Sequence, residues 1–384
     1  MKNLFYCMLT ILALSLSSCN NDNDVVTDGT GTGTGTETVS LEGDISSDTT
    51  LVASIDYRLT GTLSVKDGGI LRIPAGTTIK AVKGFSSYII VEQGGKIYAI
   101  GTAEDPIIIT SEEENPAPAD WGGLIINGKA PISGNTTGTT GQTEIDNNIL
   151  YGGTDEHDNS GILSYLILNY TGARNSSEIE HNGLTLDAVG DGTIINNIYI
   201  PNTADDGVEC FGGCVDITNI LVVDPDDDMF DNTQGYKGTI NNAYGIWTAG
   251  YTSSEGDPRG VESDGNLDGK TPTDVGQTDF TINDLTIINN SINQDMDDVI
   301  KIRRGSTATI TNALTKNGTT GTIVNIYDSK GSGNANTSIS ITTENVTSTD
   351  TNIKNTDNVA ATINFVDGNT GADISEFSWT GYTF

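Results

Sequence analysis

Residues 183–247 read GLTLDAVGDGTIINNIYIPNTADDGVECFGGCVDITNILVVDPDDDMFDNTQGYKGTINNAYGIW, and one short phrase recurs in them three times. LTLDAVG (184–190), DGVECFG (206–212) and MFDNTQG (229–235) set Asp187, Glu209 and Asp231 at equal steps of 22 residues. A second phrase follows each copy: TIINNIYI (193–200), VDITNILVV (215–223) and TINNAYGIW (239–247). Its asparagine recurs at Asn197, Asn219 and Asn242. A period of roughly 20–25 residues carrying short strands rich in β-branched residues belongs to a solenoid whose coils stack. Apolar and polar residues alternate within each strand, as in Val215, Ile217 and Ile220 around Asp216 and Thr218. That alternation turns one face to a narrow core and the other to water. Asparagine at a fixed place suits a corner, because it tolerates left-handed backbone and its amide can bond the asparagine one coil away. The reading is all-β: a single-stranded right-handed parallel β-helix with coils of about 22 residues and loop insertions.

The rhythm extends both ways. TLSV (62–65), ILRIPAGTTIKAV (70–82), YIIVEQGGKIYAIG (88–101) and DPIIITS (105–111) are strands broken by Gly, Pro or Asp corners. A polar stretch at 133–160 reads as a surface excursion from the coils. Beyond Trp247, RGVESDG (259–265) repeats DGVECFG and puts Glu262 after Asp231; DDVIKIRRG (297–305) puts Lys301 after Glu262. FTINDLTIINN (280–290) repeats the second phrase with Asp284 in the asparagine place. The segments 248–258 and 263–279 are insertions, and the closing FSWTGYTF is expected to cap the last open coil.

The chain has 384 residues, with 18 Lys and Arg against 52 Asp and Glu, a net charge of −34. Phosphate binding needs clustered bases, so nucleic acid is not an expected partner. Length alone would suggest more than one domain, but each solenoid coil adds its own slice of core, so residues 44–384 read as one domain.

Lys2 and the apolar run from Leu4 to Leu16 have signal-peptide length, too short to span a bilayer. The run ends LSSC (16–19), which resembles the bacterial lipoprotein signal; that resemblance makes Cys19 the lipidated first residue. Residues 20–43, with GTGTGTGT at 29–36, read as a flexible tether. A body held off a membrane by such a tether is a display arrangement, at the outer membrane or cell surface.

WGGLIINGK (121–129), DDGVECFGG (205–213), DDDMFD (226–231), RGVES (259–263) and FSWT (377–380) together resemble a family of bacterial surface lipoproteins. Its members are right-handed β-helices of the pectin-lyase-like kind. The resemblance covers about residues 60–384 and implies fold and location, with no settled activity to carry over. Cys214 departs from the plainer residue usual after the Gly-Gly.

Stacked coils would align Asp187, Glu209, Asp231, Glu262 and Lys301 in one outward column. Carboxylates about 4.8 Å apart repel by roughly 3 kcal/mol at an effective dielectric of 20, which calls for cations, raised pKa values, or splayed side chains with water between, as in a plain solvated acidic stripe. Calcium takes oxygen donors of this kind. The expected ligands are Asp187, Glu209, Asp228, Asp231 and Glu262, and the expected ligand-binding residues are Asp205, Asp206, Glu262, Asp264 and Arg304. Lys301, Arg303 and Arg304 crowd three bases into four positions. Beside bound calcium, Lys301 or Arg303 would suit β-elimination on uronic-acid glycans; the plainer account is ion pairing with Glu262, Asp264 and Asp298. Cys210 and Cys214, in an oxidising compartment, are expected to form a disulfide across a corner. Tyr236, Trp247, Tyr251 and Trp121 are the aromatics that sugars could stack on, although Trp121 and Trp247 suit corner packing better.

The preferred functional reading is a lipid-anchored surface module that binds or adheres to extended carbohydrate, with calcium as its cation. The competing readings are a calcium-dependent polysaccharide lyase and a structural surface or matrix protein.

Overall fold

The computed structural model describes residues 38–175 and 179–384. The signal segment, Cys19 and the tether up to residue 37 lie outside the described residues. Among the described residues, twenty-four strands join one parallel array, and the antiparallel pair Gly141–Gln142 with Leu150–Tyr151 stands apart. The array is wound as a right-handed β-helix, the hand that parallel crossovers take.

One ladder runs through Leu184–Asp187, Val208–Phe211, Phe230–Thr233, Arg259–Asp264 and Met296–Arg303. Val208, Phe230, Val261 and Ile300 are successive Cα partners in it, all buried, so one apolar residue per coil stacks down the axis. The second ladder runs through Ile194–Pro201, Ile217–Val223, Thr239–Trp247, Asp279–Asn289 and Thr307–Lys316. Each of these strands contains one left-handed residue: Asn197, Asn219, Asn242, Asp284 and Asn312, with φ between 50° and 59°. The bend splits each strand into two faces, giving the coil three sides. Side-chain amides close the corner from coil to coil. Asn219 Nδ2 donates to Asn197 Oδ1 at 3.0 Å, Asn242 Nδ2 to Asn219 Oδ1 at 2.8 Å, and Asn312 Nδ2 to Asp284 Oδ1 at 2.7 Å.

Two expectations about the ends are corrected. The first strand, Thr38–Ile45, takes in residues 38–43 that the sequence assigned to the tether, and Val39 and Leu41 turn into the core there. The closing aromatics do not cap the last coil. Instead the chain doubles back along the side of the helix, and Phe377 is buried against Leu221, Val223, Tyr244 and Ile246. The outward halves of those bent strands are apolar, so the flank offers the terminal aromatics more area to cover than the Thr-rich last coil.

Candidate functional site

The outward side of the first ladder is the floor of a cleft of about 700 Å³. Glu209, Asp231 and Glu262 are consecutive Cα partners on this floor, and Lys301 follows them. One wall is the excursion at 133–160, which contributes Glu144, Leu150 and Tyr151; the other is the insertion carrying Leu267, Asp268 and Lys270. The two insertions meet, with Gly134 and Val275 exchanging backbone hydrogen bonds of 3.1 and 2.8 Å. Tyr151 anchors the first wall: it packs near Phe211 and donates from its hydroxyl to Gln234 Oε1 at 2.5 Å.

Asp187 is not in this column. Thr185 is the partner of Glu209, while Asp187 lies between Asn127 and Phe211. A slip of two residues leaves every side chain on its own face, so alternation cannot detect it. Glycine sets the register instead. A Cβ on Gly183 would lie 2.6 Å from Gly207 O, and one on Gly207 would lie 2.6 Å from Met229 O, so these residues sit tightly beneath the next coil. Asp187 is buried near Glu144; burial first, then that neighbour, raises its carboxyl well above the usual range.

The floor is strongly acidic and only partly neutralised. Burial first, and then neighbouring carboxylates, holds the acids of Asp206, Glu209 and Asp231 well above the carboxylate range. Asn182 donates to Glu209 Oε2 at 2.7 Å and opposes that rise. Asp231 Oδ1 is buried without a hydrogen-bond partner. Glu262 is better served: burial raises its acid, while Arg259 Nη1 at 2.6 Å and the Arg303 guanidinium pull it down.

The three bases are structural members of this network. Arg303 donates to Glu262 and, through Nε, to Asp264 Oδ1 at 2.7 Å. Arg304 bridges Asp264 Oδ2 at 2.6 Å and Asp328 Oδ1 at 3.2 Å. Lys301 is buried with Nζ 3.4 Å from Asp298, and burial lowers its pKa against that pull. It is absent from the cleft lining, where a base acting on a bound chain would have to stand.

Among the described residues, two groups of carboxylates could hold a cation. Donor atoms of Asp206, Glu209 and Asp231 lie within 4.8 Å of one another, as do those of Asp205, Asp206 and Asp227. Of the residues expected as ligands, Asp187 is displaced by the register and Asp228 is committed elsewhere, accepting from Arg259 N at 2.7 Å. Glu262 is held by its two arginines. Asp206 itself accepts from Asp228 N at 2.8 Å. Sequence reasoning missed Asn182 and Arg259. Arg259, in RGVES, was the legible one, as a base opening a floor strand; Asn182 carries no comparable signal.

The expected disulfide is not formed: Cys210 and Cys214 are both free. Cys210 points into the core as the partner of Leu186, whereas Cys214 lies past the Gly212-Gly213 corner with Sγ 3.2 Å from Glu156 O. Trp121, Trp247 and Tyr236 are buried and donate to the backbone carbonyls of Asn169, Pro225 and Val215, so none offers a ring to a sugar. Tyr251 is half-buried and also donates to Pro225 O. Of the two histidines, His157 is exposed against Asp191 and His181 is buried between Phe85 and Tyr88.

The sequence profile of the pectate-lyase like beta helix domain matches residues 43–381. No curated protein and no solved structure shows significant similarity to the chain.

Proposed function

The chain belongs to the family of pectate-lyase-like β-helix domains, and on that premise we propose that it binds an extended carbohydrate along the floor of the cleft. The observation that supports this most directly is the shape and lining of the groove. It is about 700 Å³, follows the stacking direction of the coils, and combines hydrogen-bonding carboxylates with the exposed rim residues Leu150 and Leu267. A sugar presents hydroxyls to polar groups and C–H faces to apolar ones, and this lining offers both. The floor also needs counter-charge. Calcium is the inorganic ion its oxygens suit, and Asp206, Glu209 and Asp231 are the donors best placed to receive it, with further oxygens needed to complete the shell.

In this reading the protein is an adhesion module held at the cell surface by lipid on Cys19. A glycan array probed with the purified chain tests the binding. Retention of at least one class of extended glycan, weakened at least tenfold by Leu150→Asp or Leu267→Asp, supports it; no retention across the array would remove it. Release of the protein from membranes by Cys19→Ser tests the anchor separately.

A further inference from the structure

We propose that the cleft selects glycans bearing free amino groups, and that a ligand ammonium takes the place of the inorganic cation between Glu209 and Asp231. This rests on the reading of the cleft as a glycan site and specifies what that glycan carries.

The family's name directs attention to acidic polysaccharides, but the charges in this cleft point the other way. Glu144, Glu209, Asp231, Glu262, Asp264 and Asp268 line it, against Arg303 and Lys270. Both of those cations are already engaged: Arg303 by Glu262 and Asp264, and Lys270 by Asp268 at 2.5 Å. A uronate entering here would meet an excess of carboxylates with no cleft cation left to receive it. Its desolvated charge would be uncompensated.

An ammonium reverses each of these terms. It is a compact cation with N–H donors only, and the floor supplies acceptors. Asp231 Oδ1 is buried and accepts from nothing. Asn182, only 3 % exposed, spends its Nδ2 on Glu209 and leaves its own Oδ1 without a donor. Glu209 and Asp231 bring carboxylate oxygens within 4.8 Å of one another, a separation that one ammonium nitrogen spans with a hydrogen bond to each. Arg259 and Arg303 bind Glu262 on the next coil, so the acid oxygens of Glu209 and Asp231 are the ones left for a ligand cation to engage.

The test is isothermal titration of the purified chain with three oligosaccharides of equal length: 2-amino-2-deoxyglucose with free amines, its fully N-acetylated counterpart, and oligogalacturonate. Each is run in chelator and in millimolar Ca²⁺. The expected result is binding of the free-amine oligomer at least tenfold tighter than the acetylated one, and weaker in Ca²⁺ than in chelator, because the ion competes for the same oxygens. Asp231→Asn and Glu209→Gln, checked for folding by thermal melts, are expected to bring the amine-to-acetyl ratio close to one. Equal affinity for the amine and acetylated oligomers, or oligogalacturonate binding that requires Ca²⁺, would overturn this inference while leaving the cleft a glycan site. Failure of all three here and of every glycan on the array would remove the glycan site itself.

Discussion

Asp231 lies one coil beyond Glu209 as its direct Cα partner, and their carboxylate oxygens come within 4.8 Å of each other and of Asp206. Like charges so placed cost up to about 3 kcal/mol at an effective dielectric of 20, less where water reaches them. Asp231→Asn keeps the shape and removes one charge. The raised acids here are protonated below the unfolded carboxylate pKa and lose stability for the fold as pH climbs through their folded values. Asp227, in the adjoining group, is pushed up to about 7, chiefly by burial. The variant is therefore expected to melt a few degrees above the parent at pH 8, by about 1–2 kcal/mol, and to lose that gain by pH 5. A lower midpoint at pH 8 would mean that the pair is not repulsive.

His181 moves stability in the opposite direction. It is buried between Phe85 and Tyr88, with Nε2 3.1 Å from Phe85 O and Nδ1 unpartnered. Burial lowers its pKa to about 4. Because the folded value lies below the ordinary one, its contribution is complete above about pH 6.5 and is lost as pH falls towards 4, on the order of 3 kcal/mol. His181→Gln can still donate to Phe85 O but does not titrate. Urea unfolding at pH 7 and pH 4.5 should show the parent losing more stability than the variant over that interval. Parallel losses would show that His181 does not charge.

The asparagine corner separates backbone strain from hydrogen bonding. Asn219 has φ 58°, donates to Asn197 and Glu376, and accepts from Asn242. Asn219→Gly loses these three bonds but relaxes the backbone, at about 1–2 kcal/mol; Asn219→Ala adds about 1 kcal/mol for the left-handed conformation. Chemical denaturation of the two variants measures the difference, and a glycine variant no more stable than the alanine one would contradict this account of the bend.

These corners were legible because their signal is local. Asn197, Asn219 and Asn242 recur in phrase, and each meets a requirement of its own backbone. The order Glu209, Asp231, Glu262 and Lys301 along the ladder was legible for a related reason: each follows an inward apolar residue, Val208, Phe230, Val261 or Ile300. Asp187 misled because the coil before Glu209 is two residues longer, and a period-two pattern reads the same after that slip. The cleft was not legible at all. Its walls come from two insertions that meet at Gly134 and Val275, far apart in the chain and without shared periodicity. The fate of Cys210 turned on strand parity: as an inward residue it packs with Leu186, out of reach of a cysteine beyond the corner.

The C-terminal segment offers the last test, because it joins coils that are distant along the axis. Asp373 N donates to Asn242 Oδ1 at 2.6 Å, Thr370 N to Asn312 Oδ1 at 2.8 Å, and Trp379 packs edge-on to Tyr165. Phe377 fills the apolar flank, and Phe384 meets Tyr244 edge to face. In a solenoid each coil otherwise touches only its neighbours, so a strap that crosses several couples their unfolding. Phe377→Ala should cost about 3–5 kcal/mol if the strap unfolds with the body. A chain ending at residue 366 should expose Leu221, Val223, Tyr244 and Ile246, bind a hydrophobic dye at room temperature, and unfold over a broader transition as the coils lose their common tie. A truncated chain that binds no dye and melts as sharply as the parent would show that the strap is an ornament on an independently stable helix.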